Sequence, residues 1–411
     1  MNNSQIASTK HTTSSSGWQP SKKTAVILFS NGSIRYGYGF GATGITFGEV
    51  CFNTSITGYQ EIMSDPSYAH QIVNFTFPHI GNVGTNDEDL ETANLNGKIH
   101  IAGAITHSVI NNPSNYRSKM PLTDWMFANK IIGISGIDTR FLTKTIRDDG
   151  MMSCVIEHNK SGNFDFENLK KVLKDVKSME GLDLVSDAST KKVYSSNLKS
   201  WEWDLGYREN KKKTIKIALI DYGIKSNIIR ILNSFDCETK IFPANTNIQK
   251  IMNYQPDGVL LSNGPGDPYA TINYSITLIK EIIKNTIPIF GICLGHQILA
   301  LALGGKTMKM SFGHHGANHP VLDLNSRKVF ITSMNHGFTV DIRTLPSDVI
   351  ETHKSLFDGS NCGIEVSNKP IFSVQFHPEA SPGPQDCYHV FEKFIKNINS
   401  NSRKLNNAKK N

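Results

Sequence analysis

Several things are scarce or missing in this 411-residue chain, and each absence narrows the reading. No apolar run approaches the roughly 18–20 residues that a membrane-crossing helix needs, so no membrane partner is expected. The first apolar cluster, Ala25–Phe29, is short and strand-like rather than a secretory core segment. None of the six cysteines (51, 154, 237, 293, 362 and 387) pairs with another in a Cys-x-x-Cys spacing. That argues against a redox or zinc motif and for reduced thiols in a cytoplasmic, cytosol-like compartment. There is no Walker-type phosphate loop, so this chain is not expected to bind ATP itself. The formal charge is +7, but Lys and Arg are spread along the chain with no aromatic-plus-basic motif, so no nucleic acid is expected. No internal repeat is visible.

What is present reads as a two-domain globular protein of ordinary composition, 38% hydrophobic and 19% charged. Residues 1–23 lack any acidic residue and are rich in Ser, Thr and Asn, the pattern of a disordered leader. From residue 24 to about 185, short apolar runs alternate with glycine-rich segments taken as turns, such as Gly37–Gly41, which predicts a β-rich α/β domain. Residues 186–213 are polar and are expected to be a linker. From 214 to 399, strands and amphipathic helices alternate, with strands at Ile215–Ile220, Thr239–Phe242 and Gly258–Leu261 and helices at Lys225–Phe235 and Tyr274–Lys284. That order predicts a mostly parallel, doubly wound sheet. Residues 400–411 read as a disordered basic tail. His314, His315 and His319 are close in sequence, but neighbouring glycine and proline favour a loop of satisfied histidines over a metal site, and no metal is expected.

Three motifs carry chemistry. An apolar run from Ile287 is followed by Gly291-Ile292-Cys293-Leu294-Gly295 and then a helical stretch through Leu303. This is the strand–nucleophile–helix turn of a nucleophile elbow, with glycines that permit close strand–helix approach. A helix beginning at Cys293 favours thiolate. The second motif, Leu260–Pro268, ends a strand in a Gly/Pro-rich loop, at the sheet edge where open α/β folds bind ligands. Its amides can serve an oxyanion, although an ordinary turn has the same composition. In the third, Phe372, Val374 and Phe376 alternate with polar residues, predicting a strand that ends at His377, with Glu379 two residues on. A surface His–Glu pair would look alike in isolation. Together, however, Cys293, His377 and Glu379 form a nucleophile, a base and an orienting carboxylate in the chain order of α/β hydrolytic triads. The chemistry implied is acyl transfer or hydrolysis through a thioester.

The elbow (Gly291–Gln297) and Phe376–Glu379 resemble the corresponding motifs of class I glutamine amidotransferases. Gly48–Ile62, Asp65–Tyr68, Pro78–Gly84 and Gly136–Arg140 are similar to the N-terminal domain of the carbamoyl-phosphate synthase small-chain family. The resemblance runs from about residue 24 to 399. It implies Cys293 as nucleophile, His377 as base and Glu379 as its partner. It further implies L-glutamine contacts at Ser67, Gly264, Gly266, Leu294, Gln297, Asn335, Gly337 and Phe338, with Ser67 reaching across from the N-terminal domain. It implies a separate large chain as partner, which uses ATP with Mg and bicarbonate to make carbamoyl phosphate for arginine and pyrimidine biosynthesis. No cofactor is expected in this chain. Rival readings are a different class I amidotransferase subunit, a catalytically idle scaffold, and a free-standing thiol hydrolase.

Overall fold

A computed structural model describes residues 21–93 and 97–408. Most of the expected leader and the last three residues of the expected tail lie outside the described residues.

The N-terminal half closes on itself. Seven strands form a barrel in the order Ala25–Phe29, Ile34–Gly41, Ile132–Ser135, Gly103–Ile105, Gln71–Phe75, Gly44–Asn53 and Met152–His158. Closure rests on antiparallel pairing of the first strand with the last, Ala25 opposite His158 and Phe29 opposite Cys154. A barrel has no free edge to protect. Gly37–Gly41 is not a turn, as expected from composition, but the middle and end of a strand. Its glycines serve close packing. A Cβ on Gly37 would lie 2.2 Å from the Ser135 carbonyl oxygen, and one on Gly39 would lie 2.0 Å from the His158 ring.

The C-terminal half is built on one ten-stranded sheet. Its core is parallel: Ile215–Asp221 lies between Cys237–Pro243 and Gly258–Leu261, followed by Ile289–Ile292 and Ile371–Val374. The rest departs from the mostly parallel expectation. Asn361–Val366, Val349–Ser355, Lys306–Asp323 and Val329–Asp341 extend the sheet antiparallel. Hairpin connections need no crossover helix, so helical alternation in the sequence stops where this part begins. Helices cover both faces of the parallel part. Ile228, Ile231 and Leu232 of Ser226–Ser234 pack on one, and Leu278, Ile279 and Ile282 of Ile272–Lys284 on the other. Phe290 and Phe372 stack at 4.7 Å, with Phe391 of the last helix set edge-on to Phe290 at 5.6 Å. Such pairs add about 0.5–1.5 kcal/mol beyond area burial.

Two segments differ from their sequence reading. The expected linker contributes Tyr194–Ser196 to the sheet edge, opposite Thr239–Ile241, and folds a hairpin from Leu198–Glu202 and Gly206–Glu209. Its polar composition reflects an edge position, where one face meets solvent. Residues 400–408 of the expected disordered tail continue the final helix, which runs His389–Ala408. Among the described residues, no helix is long and apolar enough to cross a membrane.

Candidate active site

Every motif singled out above leaves the carboxyl end of a parallel strand. Gly258–Leu261, Ile289–Ile292 and Ile371–Val374 are neighbours in register, with Leu260 opposite Phe290 and Phe290 opposite Phe372. Their following loops therefore sit side by side. Ile215–Asp221, where strand order reverses, sends Lys225 to the same edge. This is the crevice where doubly wound sheets hold ligands.

Cys293 occupies the sharp bend between strand and helix at φ 53°, ψ −105°, directly before the helix Leu294–Ala302. Positive φ in a residue with a Cβ is strained, and the surroundings enforce it. The Cys293 amide donates to the Val374 carbonyl at 2.9 Å, and Gly295 N–H donates to Ser262 O at 3.0 Å. A Cβ on Gly295 would stand 2.2 Å from Leu261 O, and one on Gly291 would stand 2.8 Å from Gly295 O. Only glycine lets helix and strand meet so closely at these two positions.

His377 is aligned by its backbone, whose N–H donates to Ser333 O at 2.8 Å. Its Nδ1 lies 2.6 Å from Glu379 Oε1, and both side chains are essentially out of solvent. Burial pulls the His377 pKa down, but the Glu379 charge, the nearby Cys293 and its hydrogen bonds more than offset this and raise it to about 10. Nε2 has no other hydrogen-bond partner, leaving it available to the thiol. Glu379 is in turn held ionised. Burial raises its pKa, but Lys225 and His377 reverse that and hold it below the usual carboxylate value. Lys225 Nζ lies 3.3 Å from Glu379 Oε1 with 2% of the side chain exposed. Its ammonium also donates to Ala380 O. The strand leading here ends at Val374, three residues earlier than expected, and residues 371–380 are buried throughout. The polar positions that suggested an outward face are paired inside. Ser373 Oγ meets His296 Nδ1 at 2.9 Å, and Gln375 Oε1 accepts from Gln297 Nε2 at 3.0 Å.

A small cavity of about 30 Å³ opens beside the sulfur. Ser67, Gly264, Gly266, Cys293, Gln297, Asn335, Gly337 and Phe338 all line it. Leu294 does not; its side chain packs in the core, leaving only its first-turn amide as a contact of the expected kind. His377 and Glu379 lie outside the lining too, beyond the sulfur. Ser67 does come from the barrel half: its Oγ accepts from Asn263 Nδ2 at 2.8 Å, joining the two halves at the site. Gln297 Nε2 donates to Phe338 O at 2.8 Å, and Cys293 Sγ lies 3.5 Å from Asn335 O. Gly264 is pressed on Tyr222 O, which a Cβ would approach to 2.1 Å, and Gly266 has φ +90°.

Sequence reasoning missed Lys225, Asn263 and His315. His315 Nδ1 lies 2.8 Å from Asn335 Oδ1 and fixes that amide against the pocket. The signal for Lys225 was its place just past the first strand, at the reversal of strand order. For His315 there was none, because its stretch was read as a loop. It belongs instead to the long strand Lys306–Asp323, where His314, His315 and His319 are buried. Among the described residues, no group of three or more His, Cys, Asp or Glu side chains is arranged to hold a metal ion.

Comparison with known proteins matches both halves of the chain to described families. The family described as glutamine amidotransferase class-I matches residues 218–397, and that described as carbamoyl-phosphate synthase small chain, CPSase domain, matches residues 27–156. A carbamoyl phosphate synthase small chain of Bradyrhizobium diazoefficiens is 51% identical over 377 residues, covering 92% of this chain and 95% of the relative. One from Bartonella quintana is 52% identical over 381 residues, again covering 92% and 95%. The C-terminal half is thus of the class I glutamine amidotransferase type. The chain as a whole belongs to the carbamoyl-phosphate synthase small-chain family.

Proposed function

We propose that this chain is the glutamine-hydrolysing subunit of a carbamoyl-phosphate synthase. It releases ammonia from L-glutamine for a separate large chain, which uses ATP with Mg and bicarbonate. The observation that carries the reading is the buried relay Lys225–Glu379–His377 behind a cysteine held at a strained helix start. The Cys293 thiolate attacks the side-chain carboxamide carbon. The amide of Leu294 and those of the Gly264–Gly266 loop steady the oxyanion. His377, protonated at neutral pH, delivers its proton to the departing ammonia and then draws one from the water that cleaves the glutamyl thioester. Ser67, Gln297, Asn335, Gly337 and Phe338 hold the amino-acid portion. Arginine and pyrimidine biosynthesis are the consumers that family membership suggests, and a cytoplasmic setting fits six unpaired cysteines.

Cys293→Ala and Cys293→Ser test this. Glutamine-dependent synthesis by the complex with the large chain should fall by roughly a thousandfold or more, while ammonia-dependent synthesis persists. Glutaminase activity equal to that of the unsubstituted chain would remove Cys293 from the mechanism.

A further inference from the structure

The helix that begins after Lys225 has no cap of its own. Lys225 stands directly before Ser226–Ser234, and its side chain is committed to Glu379 and Ala380 O rather than to the helix amides. The first amides of a helix need acceptors. Here they find them in the other half of the chain. Ser226 N–H donates to Glu91 O and Asn227 N–H to Glu91 Oε2, both at 2.9 Å. Glu91 belongs to the barrel half, between His79–Ile80 and Gly103–Ile105, and is 1% exposed. Its Oε1 accepts from Ser381 Oγ at 2.6 Å and lies 3.3 Å from Arg230 Nη1. Ser381 follows Glu379 by two residues. Ala380 and Ser381 have φ 55° and 56°, left-handed conformations that residues with a Cβ keep only under constraint. Lys225 supplies part of that constraint at Ala380 O. The barrel half supplies the rest: Glu91 holds Ser381, and Gly58 is pressed so close to Pro382 that a Cβ on it would stand 2.3 Å from the proline ring.

We infer that Glu91 is a positioning residue for the proposed glutaminase: it caps the helix that begins after Lys225, grips the loop that follows Glu379, and so fixes the ammonium and the carboxylate of the relay against each other. The inference rests on the glutaminase reading and goes beyond it, since it puts support for the relay in the half of the chain that contributes none of Cys293, His377, Glu379 and Lys225. A helix is ordinarily capped by an acceptor on the residue before it. Lysine has no acceptor, and an acceptor at that position could not hold Glu379 ionised. A carboxylate from elsewhere meets both needs and also suits the positive end of the helix dipole. Every partner of the Glu91 carboxylate is a donor: the Asn227 amide, the Ser381 hydroxyl and the Arg230 guanidinium. Asn227 passes the hold onward, its Nδ2 donating to Glu379 O at 2.6 Å. With Glu91 altered, the 3.3 Å contact of Lys225 with Glu379 and the 2.6 Å contact of Glu379 with His377 both loosen. His377 then loses part of what raises its pKa to about 10. The rival role for Glu91 is a tie between the halves that stabilises the fold without setting the geometry of the relay.

The test is the pH dependence of glutaminase kcat for the full chain with L-glutamine, followed far enough into alkali to see turnover fall as His377 loses its proton. Glu91→Gln keeps the shape but sets an NH₂ group among donors. It should lower kcat about 30-fold with KM changed less than about threefold, and should move the alkaline limb down by about one pH unit. Glu91→Asp keeps the charge and should recover most of both losses. Ser381→Ala removes only the grip on the loop, a milder change for folding. It should lower kcat about fivefold and move the limb in the same direction by less. An alkaline limb left in place in both Glu91→Gln and Ser381→Ala overturns the inference and leaves the glutaminase reading standing. If Glu91→Gln fails to fold, the limb in Ser381→Ala decides alone. Absence of glutaminase activity in the unsubstituted chain overturns both.

Discussion

Two groups of buried histidine lie in the same half of the molecule and carry opposite charge states. His377 sits with Glu379 and Lys225 at the carboxyl edge of the parallel strands and is pushed up to about 10. His315, His319 and His336 lie on the antiparallel hairpin and are pushed down by burial, His315 to about 4, His319 to about 3 and His336 well below the ordinary histidine value. Burial acts on both groups in the same direction. The difference is the partner. His377 faces a wholly buried carboxylate, whereas the hairpin histidines face one another, with His314 and His336 ring centres 5.0 Å apart, and bond to Asn335 Oδ1 and Phe338 O. A neutral amide or carbonyl orients an imidazole without charging it. A carboxylate charges it, provided something holds the carboxylate ionised, and here that is Lys225.

The sharpest way to break the contrast is to make His377 resemble the hairpin histidines. Glu379→Gln keeps the shape and removes the charge, so the imidazole loses what raises its pKa. Turnover with glutamine should fall about 10⁴-fold, near 5 kcal/mol of transition-state stabilisation, with KM little changed. Lys225→Met attacks the same relay one step back. It leaves Glu379 buried and short of its cation, and breaking a buried pair from one side costs about 3–5 kcal/mol. Chemical denaturation should show that loss, together with reduced glutaminase activity.

Acid sharpens the comparison from the other side. His296, His315, His319, His336 and His353 are all lowered by burial, His296 and His319 to about 3 and His315 and His353 to about 4. Once unfolded, each binds a proton below about pH 6.5. Folded, each stays neutral until pH approaches 4, so the unfolded state holds more protons in that window and stability falls with acidification. Each contributes on the order of 1 kcal/mol per pH unit. His377 has the opposite sign: its contribution is complete below about pH 6.5 and is lost as pH rises towards 10. Denaturation midpoints followed from pH 7 to 4 should drop steeply, and a flat profile would mean that these five buried histidines are charged in the native state.

The grouping of Cys293, His377 and Glu379 was legible because each residue is marked locally: Cys293 by its bracketing glycines, and His377 with Glu379 by the proline between them at the end of an apolar run. Three of the parallel strands were legible because a helical run follows each: Ser226–Ser234 after Ile215–Asp221, Ile272–Lys284 after Gly258–Leu261 and Leu294–Ala302 after Ile289–Ile292. What stayed hidden is non-local. Closure of the barrel depends on Ala25–Phe29 meeting Met152–His158, which no local pattern encodes. The antiparallel extension has hairpins with polar, histidine-rich strands that mimic loops. Lys225 reads as an ordinary solvated residue at a helix start until Glu379 is folded against it.

The smallest expected effect concerns the one carboxylate that the hairpin histidines do have. His314 Nε2 lies 3.0 Å from Asp358 Oδ2, a contact that looks on paper like the one between His377 and Glu379. Asp358 differs in keeping 35% of its side chain in solvent. Burial raises its pKa, but hydrogen bonds from His314 and Ser360 outweigh that and hold the carboxyl below its ordinary value. Water screens such a pair, and no buried lysine supports it as Lys225 supports Glu379. Asp358→Asn retains a hydrogen-bonding oxygen at the same place, so the stability loss should be under about 1 kcal/mol, with glutaminase kinetics unaltered. A loss comparable to that of Lys225→Met would mean that exposure does not separate the two carboxylates, and the distinction between the two histidine groups would then have to rest on something other than how deeply the partner is buried.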